Sequence, residues 1–542
     1  MMTKIHFILL LLLPLGVYGQ FTRQDSLRGG LTPERVWWDL KHYDLVVAVS
    51  PETKEFKGSN TITYQVIDTA QRMQIDLQAP MSLDRVIQNN QNLTFTQEGA
   101  AHFITLKDQQ ELGSEQKITL YFEGAPRSAI NPPWDGGVTW QLDQQERPFI
   151  ATANQGIGAS IWWPNKDHPY DEPEQGAKIA IMVPKGVTAV ANGRLIQTST
   201  VGDQMQFIWQ VVNPINNYGI NINIGHYVHF NETYKGLNGP LSMDYWVLDY
   251  NLEAAQEQFK QAPMMMEAFE HWFGPYPFYE DGFKLVQVPY LGMEHQSSVT
   301  YGNGFSNGYR GTDLSGSGWG NRFDFIIIHE SGHEWFANNI TNIDVADMWM
   351  HESFTAYSEN LYLDYFFGKE ASRAYVLGTK KRILNDKPII GPYGVNQEGS
   401  SDMYYKGANI LHTLRQLIDN DKLWREILTG LNREFYHKTI SSAQLETYIS
   451  RASGIDLTAF WQQYLRTKDL PILAYKWVQN ELSFRYQDTV SDFDMPVRAI
   501  VNGKSQWIYP SDQWQSLTSS EPVTSFAVEQ DFLVTTQEVK VP

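Results

Sequence analysis

The segment FDFIIIHESGHEWFANN, Phe323 to Asn339, most narrows what this chain can become. Three consecutive isoleucines between a phenylalanine and a histidine describe a helix that is apolar all round, and such a helix is buried. The residues that follow at once are two histidines and a glutamate, side chains that bind metals and move protons. On a helix, positions four apart differ by about 40° around the axis and about 6 Å along it. His329 and His333 therefore project from one face and can share one ion, with Glu330 between them in an H-E-x-x-H arrangement. That spacing is a zinc-binding pattern in which the glutamate serves as general base. A surface helix with solvated histidines would carry the same letters, but the apolar run argues for burial, and buried polar groups need partners.

The rest of the composition limits the alternatives. There is no cysteine, so zinc ribbons, disulfide frameworks and thiol nucleophiles are excluded and a transition metal must be held by His, Asp or Glu. A formal net charge of -19 repels phosphate backbones and anionic lipid, which argues against nucleic acid as a partner. The N-terminus, MMTKIHFILLLLLPLGVYGQ, places Lys4 and His6 before an apolar run from Phe7 to Leu15. A membrane span takes about 20 apolar residues, so this run is too short. It reads as a cleaved signal peptide over residues 1–19, with export to a periplasm or beyond the cell and no stable membrane insertion afterwards.

With 542 residues the chain has room for several domains. From 20 to 239 the pattern is β-rich: YDLVVAVS, FKGSNTITYQVID and MQFIWQVV alternate apolar and polar positions, and NNQN and NNYG read as turns between strands. From 240 to 468 helical spacing dominates, beginning with NLEAAQEQFKQAPMMMEAFEHWF, for which Asn251 is the expected N-cap and Met264–Met266 packing residues. From 469 to 542 alternation returns in LSFRYQ, MPVRAIV and SQWIYP. The expected architecture is multidomain α+β.

A zinc enzyme usually has a third protein ligand and an open fourth position. ADMWMHESFTAYSE supplies Glu352, with eighteen residues between it and His333, and at this point the chain resembles the gluzincin zinc aminopeptidases, the family of aminopeptidase N and leukotriene hydrolase. That family's segment runs Asp-x-Trp-x-Asn-Glu-Gly-Phe-Ala; here His351, Ser353 and Thr355 replace its Asn, Gly and Ala, while Glu352 is kept. The resemblance implies one zinc per chain held by His329, His333 and Glu352, with His351 a substituted neighbour rather than a ligand. It implies that Glu359, two helical turns past Glu352, accepts the spare N–H of a ligating histidine, although a solvated helix face is the plainer alternative.

Other stretches carry the likeness further. PYLGMEHQSS resembles the family's Gly-Ala-Met-Glu-Asn motif: Gly292 falls within it, Met293 and Glu294 match, and His295 stands for Asn. Glu294 would then bind the substrate's ammonium. QGIGASIWWPNKD matches at Gln155, Pro164 and Asp167, and Gln155 would offer its amide oxygen to the same ammonium unless this is merely a loop around the Trp162–Trp163 pair. SDMYYKGANILHTLR resembles the family's Tyr-x-Lys-Gly helix start; spacing to Lys406 and Gly407 selects Tyr404 over Tyr405 as donor to the developing oxyanion. The implied fold is an N-terminal β-sandwich-like domain, a thermolysin-like, mostly helical catalytic domain and a small C-terminal β-sandwich, in an exported bacterial member without the helical C-terminal domain many relatives carry, and hence with a more open cleft. The implied activity is removal of the first residue of peptides with a free N-terminus by a zinc-activated water, with Glu330 as base. A zinc endopeptidase and a peptide-binding relative that does not cut are the alternatives.

Overall fold

The computed structural model describes residues 21–540; residues 1–19, read above as a signal peptide, lie outside the described residues. Ahead of the first long strand stand two short helices, Arg23–Gly29 and Pro33–Val36, inside the region expected to be β-rich. Both are closed locally, the first by a Thr22–Asp25 capping box and the second by proline at its start.

The strands Trp38–Ser50 and Glu55–Val66 pair antiparallel at the heart of a ten-stranded sheet. Trp38–Ser50 alternates buried and half-buried positions for most of its length, as period-2 patterning requires. A second sheet orders Thr188–Val190, Asn223–Gly225, Pro148–Ala153 and Gly137–Leu142. The core between the two sheets is filled by Trp38, Trp162, Trp163 and Trp209, all essentially inaccessible. Both members of the Trp162–Trp163 pair are thus core residues, packed edge-on against Phe56 and Tyr43.

The hairpin Tyr227–Gly236 and Gly239–Leu248 changes the expected domain boundary. Gly239–Leu248 pairs in parallel with Phe283–Gln287, which pairs in parallel with Val299–Tyr301, and Gly292–Met293 closes the sheet as its edge. The 239/240 position therefore falls at the start of the second strand of a hairpin within one sheet, because alternation marks a strand but not the sheet it joins. The long helical stretch after Asn251 also divides, into Leu252–Gln258 and Gln261–Phe273. Pro263 lies in the first turn of the second helix, where a missing N–H is tolerated, so a fresh helix starts just before it. Asn251 makes no side-chain capping bond. Met265 and Met266 are fully buried, whereas Met264 is partly exposed.

Seven α-helices, from Phe325–Gly332 to Thr458–Arg466, include the two that carry the site, and a four-stranded and a three-stranded sheet follow between Ile472 and Glu538. No helix among the described residues is long and apolar enough to cross a membrane.

Candidate active site

Two helices converge on a cavity of about 400 Å³. Asp324 starts the first, Phe325–Gly332: its carboxylate accepts from the backbone N–H of Ile326 at 3.1 Å and of Ile327 at 3.3 Å, and is itself held by Tyr301 and Asn303. Ile326, Ile327 and Ile328 are fully buried, and His329, Glu330 and His333 line the cavity. After His333 the chain runs through a wide turn, Glu334–Asn338, in which Phe336 and Ala337 leave helical geometry. This frees the Phe336 carbonyl to accept from His333 Nδ1 at 3.0 Å, with Thr355 Oγ1 also 3.0 Å from that nitrogen. His329 Nδ1 donates to Glu359 Oε1 at 2.8 Å, and Tyr375 donates to the other oxygen of Glu359 at 2.5 Å. Both Nδ1 atoms are thereby engaged, which fixes the rings and leaves the Nε2 lone pairs as donors.

Glu352 lies in the first turn of the helix Trp349–Phe367. Its Oε2 is 3.4 Å from His333 Nε2 and 3.8 Å from His329 Nε2. Tetrahedral zinc with bonds of about 2.0–2.1 Å separates its ligand atoms by about 3.4 Å, so these spacings suit one ion. Glu352 Oε2 is buried with no hydrogen-bond partner, which is what an acceptor reserved for a metal would show. Two imidazoles and a carboxylate, with no thiolate in the chain, are a donor set that fits zinc with one position open. His351 is turned elsewhere: its Nε2 accepts the Asn342 N–H at 2.9 Å. Burial holds both His351 and His295 down to about 3, so neither carries charge.

The second part of the site comes from the sheet edge and the N-terminal domain. Glu294 follows the edge strand Gly292–Met293, and these three residues line the cavity. A Cβ on Gly292 would stand 2.6 Å from Ile326 Cγ2, so glycine lets the strand lie close against the first helix. Glu294 Oε1 accepts from Gln155 Nε2 at 2.7 Å and from the Tyr218 hydroxyl at 3.2 Å, while Gln155 Nε2 also reaches Glu352 Oε1 at 3.1 Å. The Gln155 amide nitrogen thus joins the two carboxylates, and its oxygen is left for a ligand. Asn338 fixes the Glu294 carbonyl at 2.8 Å.

Tyr404 stands one residue ahead of the helix Tyr405–Ile418, its ring centroid 6.2 Å from that of His329. Gly407 seats this helix: a Cβ there would lie 1.9 Å from Ser353 Oγ, which is bound to the Met403 carbonyl at 2.7 Å. The serine that replaces the family's glycine at 353 therefore ties the Tyr404 segment to the Glu352 helix. Neither the Tyr404 hydroxyl nor the Glu330 carboxylate is engaged in a side-chain hydrogen bond among the described residues, and both line the cavity.

The electrostatics favour a cation at the floor. Burial would push the Glu352 carboxyl up, but His333 and then His329 outweigh it and hold it down to about 2. Burial opposes charge on the imidazoles, yet Glu352 and its neighbours carry His333 up to about 10, and Glu359 raises His329. Burial, with Glu294 and Glu352 nearby, lifts Glu330 to about 7, and burial likewise raises Glu294. Burial, reinforced by Glu352 and Glu294, keeps the Tyr404 phenol protonated well above its ordinary range.

Every residue expected from the sequence to serve the site thus lies in or beside one cavity. Sequence reasoning missed Tyr218, Tyr375, Asn338 and Thr355. Tyr218 belongs to the NNYG stretch that reads as a turn between strands, but Asn216, Asn217 and Tyr218 are all buried, and Asn216 and Tyr218 bond to Asn338 and Glu294 of the catalytic domain. The small and polar residues of a turn and those of a buried interdomain contact have the same composition, so no local signal distinguishes them. Thr355 occupies a position where the family pattern has alanine, a departure that could have flagged it.

Known proteins resemble this chain in both its N-terminal and its catalytic regions. Residues 40–218 match the peptidase M1 N-terminal domain and residues 257–464 the peptidase family M1 domain. Aminopeptidase B of Mus musculus is 28% identical over 350 residues, covering 59% of this chain and 50% of that protein. Probable aminopeptidase 1 of Sulfurisphaera tokodaii is 20% identical, with 66% and 48% covered. The chain thus spans about half the length of these relatives, but it spans 74% of the leukotriene A-4 hydrolase of Xenopus laevis, at 21% identity over 82% of its own length. Among solved structures, a mutant M1 zinc metallopeptidase from Deinococcus radiodurans bound to a Tyr-Ser-Ala substrate shares the fold with a TM-score of 0.68 at 19% identity, covering 82% of this chain and 98% of that one.

Proposed function

The chain belongs to the M1 peptidase family, and from that premise we propose that it is a zinc-dependent aminopeptidase acting on peptides with a free N-terminus. One observation carries the reading: a buried carboxylate, Glu294, bridged to the metal-ligand carboxylate Glu352 by the single amide of Gln155. A peptidase that cut anywhere along a chain would have no use for an anionic end wall beside its metal. A substrate ammonium placed against Glu294 and the Gln155 oxygen brings the first peptide bond over His329, His333 and Glu352. When bound by those three side chains, zinc supplies the Lewis acidity that lets water act as a nucleophile at about pH 7.

The remaining steps belong to protein side chains. Glu330, unpaired and raised by burial, takes the proton from the attacking water as the new C–O bond forms. It returns that proton to the leaving amine as the C–N bond breaks. Tyr404, protonated throughout, donates to the carbonyl oxygen while that oxygen gains charge. Gly292 and Met293, at the free edge of the sheet, offer backbone groups to the peptide beyond the first residue. Glu359 and the Phe336 carbonyl keep the two imidazoles in register. The apolar run from Phe7 to Leu15 supports export, to a periplasm or the exterior, as part of the same reading.

The test is metal analysis of the purified chain together with leucine release from a leucyl peptide and from its N-acetylated form. Stoichiometric zinc and cleavage of the free peptide alone are expected. Equal cleavage of the acetylated peptide would remove the role given to Glu294 and make the protein an endopeptidase.

A further inference from the structure

The floor of the cavity is buried: His329, Glu330, His333, Glu294 and Glu352 are all at most 8% exposed. A peptide whose first bond lies on that floor must leave across the rim. Trp134 is the large apolar side chain there, 57% exposed and lining the cavity together with Pro133. It sits on the loop of residues 125–136 between the strands Glu115–Gly124 and Gly137–Leu142, and Ile130 on the same loop is 89% exposed.

The loop is built to hold this position. The Asp135 carboxylate accepts from the N–H of Ile130 at 2.7 Å and of Asn131 at 2.9 Å, and the Gly136 N–H closes onto the Pro133 carbonyl at 2.9 Å. Gly136 has φ 64°, and a Cβ there would lie 2.3 Å from Ile157 Cγ2, so the loop is pressed against the segment that carries Gln155. From the catalytic side the Arg310 guanidinium stands 5.8 Å from the Trp134 ring centroid. A rigid, two-torsion aromatic side chain fixed at a mouth has little entropy left to lose when something covers it.

We propose that Trp134 is a specificity-determining platform for the second and third residues of the peptide, selecting apolar or aromatic side chains there; the assignment rests on the aminopeptidase reading. The ring gives an apolar surface that a glycine tail cannot use and that a phenyl or branched side chain covers.

The experiment uses the full zinc-loaded chain and initial rates of leucine release from Leu-Phe-Phe-Gly and Leu-Gly-Gly-Gly. Trp134→Ala should raise KM for Leu-Phe-Phe-Gly about three- to tenfold with kcat retained, and change KM for Leu-Gly-Gly-Gly by less than about twofold. Trp134→Phe should restore most of the discrimination, which a merely structural role would not predict. Equal changes for both peptides, or none for either, overturn the platform while leaving the aminopeptidase reading intact. A wild-type chain that releases leucine from neither peptide overturns both.

Discussion

Replacing Glu294 with glutamine isolates the charge of the amine anchor. The carboxylate accepts from Gln155 at 2.7 Å and from Tyr218 at 3.2 Å through the same oxygen, Oε1. A glutamine amide that puts its oxygen in that place keeps both bonds and nearly the same volume, so the packing of Gly292 and Met293 is undisturbed. What is lost is the pairing of a buried anion with the substrate's ammonium. Removing one partner of a buried, hydrogen-bonded charge pair costs about 2–5 kcal/mol, and each 1.4 kcal/mol is about tenfold. Glu294 is fully enclosed with the metal ligands beside it, but burial, with the like charge of Glu352 adding to it, raises its pKa and so favours the uncharged carboxyl in the free site. The lower middle of the range is therefore expected: about 3 kcal/mol, or a fall in kcat/KM of roughly 10²-fold for a free peptide. Zinc content should be unchanged. The assay compares Leu-Gly-Gly with acetyl-Leu-Gly-Gly in wild type and Glu294→Gln. The variant should lose rate on the free peptide alone, so that discrimination between the two collapses. A variant that keeps its rate on the free peptide within a few-fold, or that declines equally on both, would refute the argument.

Other substitutions probe separate links. Glu330→Gln should retain zinc by metal analysis yet lose about 10²–10⁴ in kcat; near-normal turnover would end its role as base. Tyr404→Phe should lower kcat about 10²–10³-fold with little change in KM, read in the same leucine-release assay. Glu359→Leu removes the acceptor for His329 Nδ1 and should weaken zinc binding about 10–100-fold in a chelator competition, an effect visible without any turnover. Gly407→Ala sets two effects against each other: alanine favours a helix by about 1 kcal/mol, but its Cβ would meet Ser353 Oγ at 1.9 Å and Ser353 Cα at 3.2 Å. Overpacking of about 1–3 kcal/mol should prevail, and a thermal melt should show a lower Tm; a raised Tm would mean that the two helices part without cost.

Much of the centre was legible because it is local. The four-residue step from His329 to His333 is a property of any helix, and the isoleucines before it require burial, so the shared face follows from the segment itself. Glu352 and Glu359 lie seven apart on one helix, which sets one on the cavity side and the other beneath the His329 ring. The β-rich, helical and β-rich regions are readable from periodicity, but the sheet that the hairpin around Gly239 joins is not, since a strand's partners are not written in its own alternation.

The chain by itself determined the chemical inventory: which side chains could hold a metal in the absence of thiols, and which glutamate would stand between two imidazoles. Tertiary structure alone decided what those groups face. Gln155 and Tyr218 meet Glu294 only because the N-terminal sheets dock on the edge of the catalytic sheet, and Trp134 reaches the mouth only because its loop packs on Ile157. Helical and strand periods are short-range consequences of backbone geometry, whereas contacts between residues distant in the chain depend on how whole apolar faces find one another.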